Sequence, residues 1–125
     1  MDQPTYRNGK ICYVEIPARD PAQSAEFYVR VFGWSFRTRG DGSLAFDDTV
    51  GQVSGSFVRD RDAARETGVM VYVMVADAVA CIDAIKSAGG EIVREIDPNA
   101  HEVFAWFRDP AGSVLGIYQQ PGLTE

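Results

Sequence analysis

The 125-residue chain has little of what most catalytic and metal sites are built from: one histidine, His101, and two cysteines, Cys12 and Cys81. The cysteines lie in separate apolar runs and form no CxxC pair, which predicts buried thiols in a reducing compartment. The net charge of −6 disfavours nucleic acid and anionic membranes, which bind basic patches. No apolar run approaches the roughly 18 residues of a membrane span, and no signal peptide is recognisable. We therefore expect a cytoplasmic protein without a nucleic-acid or membrane partner.

Familiar catalytic motifs are missing as well. We find no glycine-rich phosphate loop, no arguable Ser–His–acid arrangement and no cysteine in an activating context. His101 stands beside Glu102, but adjacent strand residues point to opposite faces, so a solvated loop histidine is the favoured interpretation. The composition, with 46% hydrophobic and 24% charged residues, is that of an ordinary globular chain that can bury a core.

What is present is a regular order of strands and helices. Residues 11–17 alternate and favour a strand, and Asp20 is placed to cap a helix that begins at Pro21. The helix should end at Gly33, where a left-handed residue is needed. Short apolar runs between turn signals then predict three strands. The order of this half is β-α-β-β-β.

The same order repeats after a charged connector at residues 59–68. A strand leads to a helix capped by Asp77, and three strands follow it. Two segments align between the halves: Val14-x-Ile16-x-x-x-Asp20 with Val71-x-Val73-x-x-x-Asp77, and residues 51–57 with residues 112–118, at shifts of 57 and 61 residues. We interpret this as an internal duplication, in which neither unit alone would bury enough core to be stable.

Three stretches of the chain also carry a family resemblance: YVEIPARDPAQSAEFYVRVFGW, GVMVYVMVADAVACIDAIKSAGGEI and DPAGSVLGIYQQ. They resemble the vicinal oxygen chelate superfamily, which includes glyoxalase I, extradiol dioxygenases and bleomycin-binding proteins. The resemblance covers residues 11–120 and implies an α+β fold, in which two tandem β-α-β-β-β modules form a cupped, half-barrel mixed sheet with helices outside. We expect a single domain, 1–125, made of module 10–58 and module 69–120.

The resemblance also implies where a metal would lie. Relatives often hold one in the cup through residues of the first and last strands, and the corresponding places here are Tyr13, Gly55, Met70 and Gly116. None offers the carboxylate or imidazole that a divalent cation needs there. We therefore predict no metal and no cofactor. The two strand glycines are open to two interpretations: room for an organic ligand, or close backbone approach between modules.

Strand alternation predicts which side chains face the cup. We expect the cup to be lined by aromatic and other polarisable side chains. It should bind a small organic molecule through the residues Tyr13, Phe57, Met70, Tyr72 and Tyr118. Each of them could instead be a core residue. Glu15 falls on the same face and is the candidate catalytic residue. The alternative for Glu15 is a surface position, or a structural pair with Arg19 or Arg108.

Two functions follow from this interpretation. The first is a metal-free binding protein of the glyoxalase/bleomycin resistance type, which sequesters its ligand in the aromatic cup. The alternative is a lyase, isomerase or other enzyme of the superfamily that uses Glu15 as a general base. Because such modules have exposed strand edges, and because the resemblance suggests it, we also expect a homodimer.

Overall fold

The structure, a computed structural model, describes residues 4–123. The elements, in chain order, are β1 (Tyr13–Pro17), α1 (Pro21–Phe32), β2 (Ser35–Thr38), β3 (Leu44–Asp47), β4 (Ser54–Val58), β5 (Tyr72–Val75), α2 (Ala78–Ser87), β6 (Glu91–Arg94), β7 (Phe104–Arg108) and β8 (Val114–Gln119). The predicted α+β class and the repeated β-α-β-β-β order are confirmed. The chain forms two compact units that divide between Asp62 and Ala63, within the predicted connector.

Unit 1 is a four-stranded mixed sheet with one helix against it. The strand order is β1-β4-β3-β2, in which β1 runs parallel to β4 and the other pairs are antiparallel. The Asp20 carboxylate accepts a hydrogen bond from the Gln23 backbone N–H, and Gly33 ends α1 with a left-handed φ of 74°. Both predicted helix ends are therefore confirmed.

The core of unit 1 is a stack of four aromatic rings, which we name the core stack. It consists of Tyr28 from α1, Trp34, Phe46 from β3 and Phe57 from β4. The centroid of Trp34 lies 4.7 Å from that of Tyr28 and 4.8 Å from that of Phe46, with nearly parallel planes. These rings are almost completely buried, and rings packed this way contribute beyond their buried area.

Unit 2 repeats this arrangement with a mainly aliphatic core. Its strand order is β5-β8-β7-β6, with β5 parallel to β8. The Asp77 carboxylate caps α2 by accepting from the Ala80 N–H at 3.0 Å. The helix buries Ile82 and Ile85, and the sheet contributes buried Phe107 and Ile117. No helix within residues 4–123 is long and apolar enough to cross a membrane.

Candidate functional site

The sheet of unit 1 has a polar face that points away from α1. We name it the polar face; it carries Tyr13, Glu15, Arg37, Asp47, Ser54 and Ser56. Tyr13 is 43% exposed, and the Glu15 side chain is 38% exposed. Alternation along β1 therefore placed both residues correctly, on the side away from the helix.

Phe57 does not lie on this face, so that part of the prediction is wrong. Ile16 pairs with Phe57 in the register of β1 and β4, and both are buried on the helix side. The Phe57 ring lies 5.9 Å from that of Tyr28 in the core stack. Glu15 pairs instead with Ser56, which therefore occupies the corresponding place on the polar face.

A difference in turn length explains the error. The turn before β4 is closed by the Asp48 N–H donating to the Val53 carbonyl, whereas the turn before β8 is closed by the Asp109 N–H donating to the Ser113 carbonyl. The first turn is therefore one residue longer. A one-residue slip moves every strand side chain to the opposite face, so Ser56, not Gly55, is the counterpart of Gly116.

Both strand glycines are close-packed, which contradicts the idea that they leave room for a ligand. A Cβ added at Gly55 would lie 2.0 Å from the Val14 carbonyl oxygen and 2.3 Å from the Phe46 ring. A Cβ added at Gly116 would lie 2.4 Å from the Tyr72 ring. The close approach takes place within each unit, and a neighbouring ring occupies the space in both.

Arginines complete the polar face, and sequence reasoning did not place them there. Glu15 forms an ion pair with Arg61 of the connector, rather than with Arg19 or Arg108. Arg37 forms an ion pair with Asp47. Strand periodicity could not reveal the Arg61 contact, because Arg61 lies outside the strands.

Tyr13 and Arg39 form a hydrogen-bonded pair on the polar face. The Arg39 guanidinium donates to the Tyr13 oxygen, and its carbon lies 5.5 Å from the Tyr13 ring centroid. Hydrogen bonds from Ser56 and Arg39 lower the pKa of the Tyr13 hydroxyl from its ordinary value. Arg39, Ser56 and Glu15 also line an open cleft of about 640 Å³. Arg39 is therefore accessible to a small molecule from this cleft, and Tyr13 is exposed beside it.

Unit 2 has an open face of different chemistry. Tyr72, Gly116 and Trp106 lie side by side on adjacent strands. The Trp106 Nε1–H donates to the Tyr72 hydroxyl at 2.7 Å, so these two side chains meet across the glycine. The Tyr72 ring also meets the Phe104 ring edge-on, at 6.2 Å between centroids. We name Tyr72, Phe104 and Trp106 the aromatic platform.

The platform is partly exposed and partly covered by one cation. Tyr72 is 44% exposed, and its neighbour Met74 on the same strand is 60% exposed. The Arg94 guanidinium carbon lies 4.7 Å from the Phe104 ring centroid and 5.0 Å from the Trp106 ring. Guanidinium over ring faces is a favourable cation–π arrangement.

The other predicted site residues lie near this platform. Tyr118 pairs with Met74 and Phe104, so it shares the open face, and it is half-buried. Met70 is half-buried and precedes β5. The structure thus places Tyr72 and Tyr118 on the same face of the unit 2 sheet. Sequence reasoning left out Trp106, Phe104 and Arg94 as their neighbours on this side. His101 is exposed in a loop.

The side chains at the expected metal places do not fit a divalent cation. With the register corrected, those places hold Tyr13, Ser56, Met70 and Gly116, which supply hydroxyls and a thioether but no carboxylate or imidazole. The Tyr72 ring also occupies the space that a side chain at residue 116 would need. Within residues 4–123, no three or more His, Cys, Asp or Glu side chains come together as a metal site.

Comparisons with known proteins agree with this architecture. The family model described as Glyoxalase/Bleomycin resistance protein/Dioxygenase superfamily matches residues 10–117. A glyoxylase-like domain-containing protein from Didymella fabae is 28% identical over 124 residues, covering 92% of this chain and 97% of that protein. A hypothetical protein from S. aureus has a similar structure, with a TM-score of 0.71 at 17% identity over 92% of this chain and 96% of its own. A superfamily member from Sphaerobacter thermophilus gives 0.71 at 15% identity, covering 90% and 98%.

Proposed function

This chain belongs to the Glyoxalase/Bleomycin resistance protein/Dioxygenase superfamily, and we propose that it is a metal-independent binding protein for a flat aromatic molecule. The observation that carries the proposal is the aromatic platform of unit 2. Its rings are held together by the Trp106–Tyr72 hydrogen bond, yet part of their surface remains exposed. Pre-formed ring surfaces bind flat organic ligands by stacking, at little cost in side-chain ordering.

Arg94 sets the charge preference of this platform. Its guanidinium lies over two of the three rings, and no ion pair between Arg94 and a carboxylate is found among residues 4–123. The N–H groups at the edge of a stacked guanidinium can still donate to a ligand. A flat ligand that is neutral or acidic should therefore bind, whereas an equally flat cation would be repelled.

A matched set of three probes tests this preference. We would titrate 2-naphthoate, 2-naphthamide and 2-naphthylmethylammonium into protein dialysed against EDTA, with isothermal titration calorimetry as the readout. The acid and the amide should bind, and the ammonium compound should bind at least tenfold more weakly. Binding of the ammonium compound alone would contradict the proposal.

Variants locate the binding to the platform. Trp106→Ala removes one ring and should weaken naphthoate binding about tenfold, since stacking on one aromatic side chain contributes about 1–3 kcal/mol. Phe36→Ala is the matched control, because Phe36 is an exposed aromatic residue of unit 1, 49% accessible. Equal effects of the two substitutions, or binding that appears only after a divalent metal is added, would contradict the proposal.

The catalytic alternative finds less support. Glu15 is tied to Arg61 by an ion pair, and a general base would have to release that guanidinium before it could take a proton. The role of Glu15 as a base therefore stays a prediction, and so do the ligand-binding roles of Tyr13 and Met70. Glu15→Gln tests the first: loss of a turnover that the unsubstituted protein shows, with an intact fold, would restore it.

A further inference from the structure

The hydroxyl of Tyr13 has an unusual partner for an exposed tyrosine. Its oxygen accepts a hydrogen bond from the Arg39 guanidinium, a group that has donors only. A phenolic oxygen has two acceptor sites and one proton. Because Arg39 cannot accept a hydrogen bond, it leaves the Tyr13 proton available to donate to another acceptor.

Arg39 differs from the other arginines of the polar face. Arg37 and Arg61 each contact a carboxylate, whereas Arg39 contacts a hydroxyl, and no ion pair of Arg39 is found among residues 4–123. The two acids that interact electrostatically with Arg39 are engaged elsewhere. Glu15 binds Arg61, and Asp41 accepts from both the backbone N–H and the hydroxyl of Ser43, which lowers the pKa of the Asp41 carboxyl. Arg39 therefore keeps N–H donors that no acid uses.

We propose that Tyr13 and Arg39 form a binding site for the carboxylate of a small organic acid. The Tyr13 hydroxyl and an Arg39 N–H would each donate to one carboxylate oxygen. Hydrogen bonds to ionised acceptors are about twice as strong as neutral ones. The neighbouring cleft of about 640 Å³, lined by Arg39 and Ser56, leaves room for the rest of such a molecule.

Charge balance favours a carboxylate over a phosphate. The hydrogen bond to Tyr13 is the main cause that raises the pKa of Arg39, and the charges of Asp41 and Glu15 raise it further. Arg61 compensates the charge of Glu15. Asp41 is held by the neutral Ser43, so a phosphate with a charge near −2 would meet one uncompensated acid and one available cation. A single negative charge is the better match, because like charges that close together are unfavourable.

Acetate is the direct probe, and it carries no ring, so its binding does not depend on the aromatic platform. Sodium acetate would be compared with sodium chloride and sodium phosphate at equal ionic strength, following the arginine Nε–Hε signals by NMR. Acetate should give a saturable shift of one arginine signal. Absence of saturation, or saturation by phosphate and not by acetate, would overturn the assignment.

Two neighbouring arginines provide a matched pair of variants. Arg39→Gln should weaken acetate binding at least tenfold, whereas Arg37→Gln, which removes an arginine already paired with Asp47, should leave it unchanged. Arg39→Lys keeps the charge but loses the fork of donors, so it should bind acetate with intermediate affinity. Circular dichroism verifies that each variant folds. Equal losses in the Arg39→Gln and Arg37→Gln variants would contradict the site.

The titration of Tyr13 supplies a readout that a purely structural role would not move. In chloride, the ultraviolet absorbance of tyrosinate should show a step below the ordinary pKa of tyrosine, and Tyr13→Phe should remove that step. Bound acetate places a negative charge beside the hydroxyl and should raise the pKa of this step. A pKa that stays the same in saturating acetate would show that the anion does not contact Tyr13.

Discussion

Gly116→Ala tests whether the Tyr72 ring fills the space beside this strand glycine. The added Cβ would lie 2.4 Å from Tyr72 Cε2 and 2.5 Å from Cδ2. Ordinary carbon contacts begin near 3.5 Å, so the ring must move by about an ångström. Tyr72 is 44% exposed and can swing outward, but it then loses its hydrogen bond to Trp106.

The sign of the effect on stability separates the two interpretations of this glycine. Loss of the hydrogen bond costs about 1 kcal/mol, and loss of the ring contact with Phe104 costs about 1 kcal/mol. Replacing a strand glycine by alanine stabilises the folded state by about 0.5–1 kcal/mol, because alanine lowers the conformational entropy of the unfolded chain. The net expectation for Gly116→Ala is therefore a destabilisation of about 1 kcal/mol. A vacant space would instead give stabilisation.

Urea unfolding followed by circular dichroism measures this change, and a double-variant cycle isolates its cause. In the Tyr72→Ala background the ring is absent, so Gly116→Ala should stabilise by about 0.5–1 kcal/mol. The two substitutions should therefore be coupled by about 1.5–2 kcal/mol. An equal effect of Gly116→Ala in both backgrounds would refute the contact.

Three further predictions concern packing, a thiol and assembly. Gly55→Ala should destabilise more than Gly116→Ala, by about 3 kcal/mol, because the new Cβ meets the backbone carbonyl of Val14 at 2.0 Å; equal losses in urea unfolding would contradict this. Burial raises the pKa of the Cys81 thiol to about 11 from 9.0. The free energy of unfolding should therefore be highest below pH 9 and should fall as pH rises toward 11, because the unfolded chain releases this proton first. Unfolding of Cys81→Ala should lack that loss, and at pH 8 a thiol reagent should modify exposed Cys12 first. Light scattering should report about twice the 13.7 kDa chain mass if the expected homodimer forms, and a monomer would contradict it.

Local sequence signals predicted most of the fold. The helix starts followed from Asp20 and Asp77, whose carboxylates cap the helices as expected. The end of α1 followed from Gly33, which adopts the left-handed conformation. These features depend on a few neighbouring residues, so the sequence pattern is sufficient to recognise them.

The polar face was harder to predict because it depends on distant contacts. Tyr13 and Glu15 were placed correctly by alternation within one strand. Phe57 was placed on the wrong face. Residues 51–57 match residues 112–118 in their glycines and valines, and that match does not reveal the extra residue in the turn before β4. Arg39 and Arg61 lie outside the strands, and only the folded chain brings them to Tyr13 and Glu15.

The aromatic platform shows a related limit. Tyr72 was predicted to bind ligand, but Trp106 could have lain on either face of its strand. The register that pairs Trp106 with Gly116 decides the matter, and it is set by the β7–β8 hairpin as a whole. The contact of Arg94 with two rings likewise depends on a register shift between Ile92 and Arg94.

Intermolecular nuclear Overhauser effects between 2-naphthoate and EDTA-dialysed protein test the central claim most directly, that the aromatic platform binds a flat ligand without metal. The naphthyl protons should show contacts to the ring protons of Tyr72, Phe104 and Trp106, and the same contacts should remain after zinc is added. Contacts confined to other residues, or contacts that appear only in the presence of a divalent metal, would contradict the account.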